Sequence, residues 1–125
     1  MIRFIIVVLV VMLLWWLLRR AVPVPGLRVL KPARFEHEMM QDGRMLIDVR
    51  EPHEFRQGYI SGAINIPLRQ LERRLGEIPF DQPLYLYCQS GIRSKRAAAI
   101  LRKQGYTDIS HLAGGMRVWN GPTAK

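Results

Sequence analysis

The stretch Tyr85–Leu101, YLYCQSGIRSKRAAAIL, decides the fold of this chain and contains its single cysteine, Cys88. It begins as an apolar segment typical of a buried strand and turns through a short polar loop at Gly91. It then becomes alanine-rich, which favours a helix, and we predict that Ser94 caps this helix. A strand, a tight turn and a helix in this order are typical of a parallel βαβ unit, so the stretch predicts an α/β fold.

Strand and helix signals alternate along the rest of the chain from residue 27 onward. The predicted strands cover residues 27–30, 45–49, 63–66, 84–87 and 109–112. The predicted helices cover residues 32–41, 68–78 and 94–104, and the second of them has one apolar face. A single helical turn is predicted near Glu54, and a short terminal helix is predicted to place Trp119 in the core. Ligands of parallel sheets bind outside the carboxyl ends of the strands, where Asp48 and Cys88 both lie. We therefore expect the functional site at that edge.

The N-terminal residues form a separate apolar region. FIIVVLVVMLLWWLL, Phe4–Leu18, contains no charged residue. As a helix it is about 22 Å long, and counting residues 2–22 lengthens it enough for a hydrocarbon core of about 30 Å. Trp15 and Trp16 lie near one end, where aromatic rings favour the membrane interface. We predict a single transmembrane anchor over residues 1–20; the alternative is a signal peptide, although small residues before a cleavage site are lacking.

A proline-rich segment separates this anchor from the folded domain. AVPVPG, residues 21–26, predicts a stiff and extended linker, and residues 27–125 are the predicted domain. Arg3 alone precedes the apolar segment. The basic residues that follow it closely are Arg19, Arg20, Arg28, Lys31 and Arg34. The positive-inside rule therefore predicts that the domain faces the cytoplasm from the cell membrane, a reducing side that suits a free thiol.

The composition excludes several classes of protein. The net charge of +9 belongs mainly to residues 1–34, which carry six Arg or Lys and no acid, so it is a weak argument for nucleic acid. A single cysteine excludes an internal disulfide and a zinc finger, and no aromatic-and-basic motif of an RNA-binding sheet is present. His37, His53 and His111 match no ligand spacing, so we predict no metal site.

The loop CQSGIRS, residues 88–94, has the composition of an anion-binding site. A turn through Gly91 can aim several backbone N–H groups inward, and the following helix N-terminus reinforces them. A thiol held there is stabilised as the thiolate, and Arg93 adds a fixed positive charge. The residues alone also allow Cys88 to be a small apolar residue at a strand end. Lys95 and Arg96 either recruit anions or form a solvated helix face.

Three segments resemble the signature segments of the rhodanese domain, in the family's order and spacing. They are LIDVREPHEFRQGYISGAINIPL, YLYCQSGIRSKRAAAIL and HLAGGMRVWN, and the resemblance extends from about Leu27 to Asn120. It implies a five-stranded parallel sheet with helices on both faces, here preceded by one transmembrane helix. Tyr59 departs from the pattern, since the family more often has His there, and we expect that position to be structural.

The resemblance also implies the chemistry. Cys88 would be the nucleophile that takes a sulfane sulfur from a small anionic donor such as thiosulfate, and Arg93 would be the second catalytic residue. The persulfide would pass its sulfur to a thiol or to cyanide, and no metal or organic cofactor is required. The implied substrate-binding residues are Gln89, Ser90, Gly91, Ile92, Ser94, Asp48 and Arg50. Asp48 and Arg50 match the family's DVR segment, which supports the loop from the neighbouring strand end.

The length of the loop distinguishes between relatives of this fold. Cys88 and Arg93 are spaced as C-x4-R, as in the sulfurtransferases, whereas phosphatases of this fold have C-x5-R. This spacing disfavours phosphatase and arsenate reductase activity. The remaining alternative is a non-catalytic docking module at the membrane, which the intact cysteine and loop disfavour. A membrane-bound protein partner, handling of imported sulfur and simple localisation would each explain the tether.

Overall fold

An apolar helix precedes the folded domain in the computed structural model, which describes residues 1–21 and 23–125. This helix, α1, covers Ile2–Ala21, and an 18-residue stretch within Ile2–Arg20 has a mean hydropathy of 2.4 with none of its residues buried against the protein. The helix is long and apolar enough to cross a membrane. A signal sequence near the N-terminus can have the same length and composition. The predicted linker over residues 21–26 includes Val22, which lies outside the described residues.

A parallel sheet of five strands is the centre of the domain. In chain order, the strands of the described residues are β1 (Leu27–Leu30), β2 (Met45–Asp48), β3 (Tyr59–Ile60), β4 (Ile64–Asn65), β5 (Leu84–Tyr87), β6 (Ile109–Leu112) and β7 (Thr123–Ala124). Five of them pair in parallel in the order β1-β6-β5-β2-β4, which confirms the predicted sheet. The other two, β3 and β7, pair antiparallel in a small separate sheet that the sequence did not predict.

Helices connect the strands, as predicted. The α-helices after α1 are α2 (Pro32–Met39), α3 (Pro52–Gln57) and α4 (Ile92–Lys103), and 3₁₀ helices cover Leu68–Glu77 and Gly115–Val118. Proline is the first residue of α2 and of α3. Its fixed φ suits a helical turn, and its missing N–H would have had no helical partner at that position.

The helical segment predicted after Pro67 exists, but as a 3₁₀ helix with a break. Arg74 interrupts it with φ of −114° and ψ of 19°. Leu71 and Ile78 are buried, as their apolar spacing predicted. Residues three positions apart share a face in both kinds of helix, so the spacing predicted the buried face without distinguishing the helix type.

The helix α4 begins at Ile92, and the prediction that Ser94 caps it is wrong. The N-cap residue is Gly91, with φ of 103°. Glycine tolerates this left-handed conformation because it has no Cβ, so the chain completes its turn earlier than predicted. Ser94 is consequently inside the first turn of the helix, where it is fully buried.

Side chains of β5 alternate between two apolar cores, one on each face of the sheet. Leu84 and Leu86 belong to the core that contains α4 and the first 3₁₀ helix, whereas Tyr85 and Tyr87 belong to the core that contains α2. A strand buried on both faces reads as a continuous apolar run, which is why its sequence predicted it well. Trp119 is buried in the second core, which confirms its predicted packing role.

Candidate active site

The carboxyl ends of β2 and β5 bring predicted site residues together at one edge of the sheet. The two strands are adjacent and parallel, with Asp48 opposite Tyr87. Cys88 follows Tyr87 directly, so Asp48 and Cys88 leave the sheet side by side, as the alternation of strands and helices predicted. From Cys88 a short loop enters α4.

The sulfur of Cys88 is buried and faces the loop that follows it. The Gly91 N–H donates a hydrogen bond to Cys88 Sγ at 3.0 Å, and Ser94 Oγ lies 3.6 Å from the same sulfur. A backbone N–H at the N-cap of a helix favours a negative charge on the sulfur, which is the nucleophilic form of a cysteine. Several backbone N–H groups of this loop were expected to face inward, and among the described residues Gly91 supplies the one that donates to Sγ.

The second 3₁₀ helix holds the loop from outside. Its Met116 and Arg117 N–H groups donate to the carbonyl oxygens of Cys88 and Gln89, at 2.9 Å and 3.1 Å. Gly115 makes this close approach possible, because a Cβ there would lie 2.5 Å from the Cys88 carbonyl oxygen. This glycine was not among the predicted site residues, although the paired glycines in HLAGGMRVWN are a signal of such a close approach.

Asp48 and Arg50 form a buried ion pair that supports the loop. Arg50 Nη2 donates to Asp48 Oδ2 at 2.8 Å and to the Gly58 carbonyl oxygen at 2.7 Å. Arg50 Nη1 also reaches Gln89 Oε1 at 3.3 Å, which connects the pair to the loop. The Asn65 amide donates to the carbonyl oxygens of both residues of the pair, at 3.0 Å and 2.9 Å. Buried charges are tolerated when they are paired and hydrogen-bonded in this way, so both residues lie in the supporting layer of the loop.

Arg93 forms a two-point ion pair with Glu54 of α3. Its Nη1 and Nη2 atoms lie 2.5 Å and 3.0 Å from the two carboxylate oxygens, and both side chains are partly buried. Hydrogen bonding to this guanidinium lowers the pKa of Glu54 to about 2, so the carboxylate stays charged. Glu54 also accepts from the Glu51 N–H at 3.1 Å in the capping box of α3. Glu54 was not predicted as a partner of Arg93, because the two residues are 39 positions apart in the sequence.

A buried hydroxyl and imidazole extend the site behind Cys88. Ser94 Oγ lies 2.8 Å from His111 Nδ1, and the hydroxyl also lies 3.2 Å from the Gly91 carbonyl oxygen that can accept its proton. Burial, with a smaller contribution from Lys95, lowers the pKa of His111 to about 4, so its imidazole is neutral at neutral pH. The local sequence around His111 does not indicate this position, because only the register of β6 beside β5 brings it to the loop.

The remaining predicted loop residues lie at the surface of the site. Ser90 is partly buried, and Ile92 is exposed at the start of α4. Lys95 is partly buried and donates from Nζ to the Arg20 carbonyl oxygen at 3.1 Å, at the end of α1. The structure thus places the Gly91 N–H and the Ser94 hydroxyl beside Cys88. Arg50, with Asp48 behind it, contacts the loop at Gln89, and Arg93 at the end of the loop is held by Glu54.

This arrangement suits a sulfur nucleophile that carries a negatively charged adduct. The sulfur has a fixed backbone donor and a nearby hydroxyl, and the loop around it is held on two sides by the second 3₁₀ helix and by Arg50. A donor group that is already in position stabilises a developing charge without reorganising. The site can therefore support attack by a thiolate on an electrophilic, anionic substrate.

Comparison with known proteins identifies the family of this fold. The model of the rhodanese-like domain family matches residues 32–122. The chain is 59% identical over 76 residues to the uncharacterized protein YqhL of Bacillus subtilis, across 61% of this chain and 60% of YqhL. It is 34% identical over 88 residues to the thiosulfate sulfurtransferase GlpE of Stutzerimonas stutzeri, across 70% of this chain and 81% of GlpE. The match to the putative sulfur carrier protein YrkF of Bacillus subtilis covers 42% of that protein.

Solved structures agree with the sequence comparison. A rhodanese-related protein of Thermoplasma volcanium superposes with a TM-score of 0.70 at 28% identity, across 78% of this chain and 97% of that one. Reduced CoADR-RHD of Bacillus anthracis gives a TM-score of 0.67 at 39% identity, across 74% of this chain and 16% of that one. The family match covers most of the chain and the fold agrees with it, so this protein belongs to the rhodanese-like domain family.

Proposed function

We propose that this protein is a membrane-anchored sulfurtransferase in which Cys88 carries a sulfane sulfur as a persulfide. The observation that carries the proposal is the buried Cys88 sulfur, which accepts a hydrogen bond from the Gly91 N–H at 3.0 Å at the start of α4. Three similar proteins are named thiosulfate sulfurtransferase, and another is named sulfurtransferase, which supports sulfur transfer as the reaction type.

The proposed reaction has two displacement steps at sulfur. The Cys88 thiolate attacks the outer sulfur of thiosulfate, the S–S bond of the donor breaks, and sulfite leaves with the bonding electron pair. Cyanide or a thiolate then attacks the outer sulfur of the persulfide, takes it as thiocyanate or as a new persulfide, and regenerates the thiolate. The neutral His111 is a weak base at its lowered pKa, so the thiol proton goes to solvent in this scheme.

The loop residues have separate roles in this proposal. Gly91 donates to the sulfur, and the Ser94 hydroxyl turns toward it when it is charged. Arg93 uses two of its N–H groups on Glu54, and a guanidinium has five, so three remain for the oxygens of an anionic donor. Asp48 and Arg50 hold the loop in place. The six-residue loop from Cys88 to Arg93 favours sulfur transfer over phosphate chemistry.

The anchor is the second part of the proposal. Residues 1–20 would span the cell membrane once, with residues 27–125 on the cytoplasmic side, because the unburied helix α1 is apolar and basic residues follow it. A reporter enzyme that is active only in an oxidising compartment, fused after Lys125, should stay inactive. Strong reporter activity would contradict the orientation, and recovery of a shortened soluble chain would contradict the anchor.

Thiocyanate formation from thiosulfate and cyanide tests the enzymatic part. The purified full chain should turn over, and Cys88→Ser should abolish turnover while keeping the fold, since a hydroxyl has nearly the size of a thiol but is not thiophilic. Mass spectrometry of the protein isolated from cells should find one additional sulfur atom on Cys88. A folded protein with a reduced Cys88, no turnover and no added sulfur would be a docking module instead.

A further inference from the structure

A groove lined by basic side chains lies between the end of α1 and the outer face of α4, and we call it the basic groove. Trp15 and Trp16 of α1 line it, as do Gly91 and Ile92 at the start of α4. Its basic side chains are Arg19, Arg20, Lys95, Arg96, Arg102 and Lys103. The groove therefore connects the candidate membrane helix with the loop that follows Cys88.

The charge of the basic groove is not compensated within the described part of the chain. The helix α4 contains no acidic residue, and none of the six basic side chains forms an ion pair among residues 1–21 and 23–125. Arg19 and Arg20 lie over the rings of Trp15 and Trp16, at 4.6 Å and 4.1 Å from the ring centres. Six like charges in one groove repel one another, so the groove is complementary to an anionic partner.

The path of the chain shows which end of α4 lies toward α1. The Arg20 carbonyl oxygen accepts from Lys95 in the first turn of α4, whereas Gly26 lies against Arg102 in its last turn. Arg20 and Gly26 therefore lie against opposite ends of α4. Because Cys88 and its loop lie at the first turn, the active-site end of the domain is the end nearer to α1.

We propose that the basic groove binds the phosphate groups of anionic lipids around α1, and so holds the domain on the membrane with the Cys88 loop facing the surface. The partner is the bilayer because Trp15 and Trp16, which line the groove, belong to the apolar helix itself. Guanidinium and ammonium groups bind phosphate oxygens through charge-assisted hydrogen bonds, and basic segments beside a membrane helix favour anionic leaflets. The inference rests on the proposed anchor and does not depend on sulfur transfer.

The test uses the full chain in lipid nanodiscs. One set contains phosphatidylcholine alone, and in the other roughly a third of the lipid is phosphatidylglycerol. Lys95 is the reporter, because its amine lines the groove and its acetylation by a water-soluble reagent is measured by mass spectrometry. We expect Lys95 to react at least about fivefold more slowly in the anionic discs, and high salt to remove most of the difference by screening.

Two variants with equal loss of charge provide the control. The groove variant combines Arg96→Gln, Arg102→Gln and Lys103→Gln. The matched variant combines Arg56→Gln, Arg73→Gln and Lys125→Gln, which change exposed residues outside the groove. Lys95 should lose most of its protection in the groove variant and keep it in the matched variant. Equal effects of the two variants would mean that net charge alone is responsible, and would overturn the proposal.

The remaining outcomes distinguish the source of the anion. Equal reaction rates of Lys95 in neutral and anionic discs would overturn the proposal. Protection of Lys95 on neutral discs by inorganic phosphate alone would identify a site for small anions and would overturn it as well. A chain that does not co-purify with the discs would overturn the anchor, and with it this inference, while leaving the thiocyanate assay as a separate test of sulfur transfer.

Discussion

At the end of the Cys88 loop, the charge of Arg93 is balanced by that of Glu54. Their two-point contact joins residues 39 positions apart in the sequence. We expect Arg93→Ala to lower kcat/KM for thiosulfate at least about tenfold, since a charged contact of about 1.5–3 kcal/mol is lost. The variant also leaves the Glu54 carboxylate unpaired near an anionic donor. Steady-state thiocyanate formation measures the effect.

A double variant separates the two contributions. Adding Glu54→Gln to Arg93→Ala removes the unpaired carboxylate, so part of the lost kcat/KM should return. Arg56→Ala is the matched control, because Arg56 is exposed on the same short helix as Glu54 and has no ion pair within the described residues. If the double variant is no better than Arg93→Ala alone, repulsion by Glu54 is not part of the loss.

His111 should make the stability of the domain fall as the pH falls. Burial lowers its folded-state pKa from 6.5 to about 4, so the unfolded chain binds a proton more readily between these values. The free energy of unfolding should therefore drop by about 2 kcal/mol from pH 7 to pH 5 because of this one residue. Urea unfolding at the two pH values, followed by circular dichroism, measures the change.

Replacing the imidazole by a group that does not titrate isolates this effect. His111→Asn keeps a polar atom near Ser94. It should make the free energy of unfolding depend less on pH between pH 7 and pH 5. His37→Asn is the control, because His37 is exposed and should leave the dependence unchanged. Glu54 does not affect this comparison. Its pKa is lowered from 4.5 to about 2, so it reduces the free energy of unfolding only as the pH falls from about 4.5 to 2, where the unfolded state binds the proton first. An unchanged slope in His111→Asn would contradict the assignment.

At the scale of elements, the approach of the second 3₁₀ helix to the Cys88 loop depends on Gly115. Gly115 has φ of 63°, and a Cβ there would lie 2.5 Å from one loop carbonyl oxygen and 2.7 Å from the next. We expect Gly115→Ala to cost at least about 2 kcal/mol of stability and to lower sulfur transfer, because the loop must move. Thermal unfolding and thiocyanate formation measure the two effects.

Gly76 provides the control for that substitution. It lies in the first 3₁₀ helix, where a Cβ would meet nothing within 4 Å. Gly76→Ala should therefore leave both stability and activity close to those of the unchanged protein. A Gly115→Ala variant that behaves like Gly76→Ala would mean that the loop can adjust to the 3₁₀ helix without loss.

The sequence predicted elements well where a signal was local. The strand at Leu84–Tyr87 was recognisable because its burial on both faces gives an uninterrupted apolar run. The strands β3 and β7 are two residues long each and pair across a long separation, so no local pattern indicates them. The contacts of Ser94 with His111 and of Arg93 with Glu54 also depend on strand register and helix placement. The positions of Cys88 and its loop and the support from Asp48 and Arg50 were expected, whereas the contacts of Glu54 and His111 were not.

At the scale of the whole molecule, the domain contains its own sheet and cores without α1. The first strand pairs with β6 from Leu27 opposite Ile109 onward, so the sheet is complete once Leu27 is present. Val24, which precedes that strand, is partly buried and packs against the core that contains α4. The described part of α1 contributes no buried residue in its apolar span. These contacts favour a folded unit that does not depend on α1 for its sheet or its cores.

A chain that begins at Leu27 should therefore fold and stay soluble without detergent. Its thiocyanate formation should remain within about twofold of the full chain, because the contacts of Cys88 lie within this part and the loss of Val24 costs little of the core. Size-exclusion chromatography and the activity assay measure both properties. A chain that begins at Pro32 is the control, since it lacks β1 and should be strongly destabilised by exposing β6 at the sheet edge. Aggregation of the Leu27 chain, or loss of its activity in detergent-free buffer, would mean that α1 packs as part of the domain.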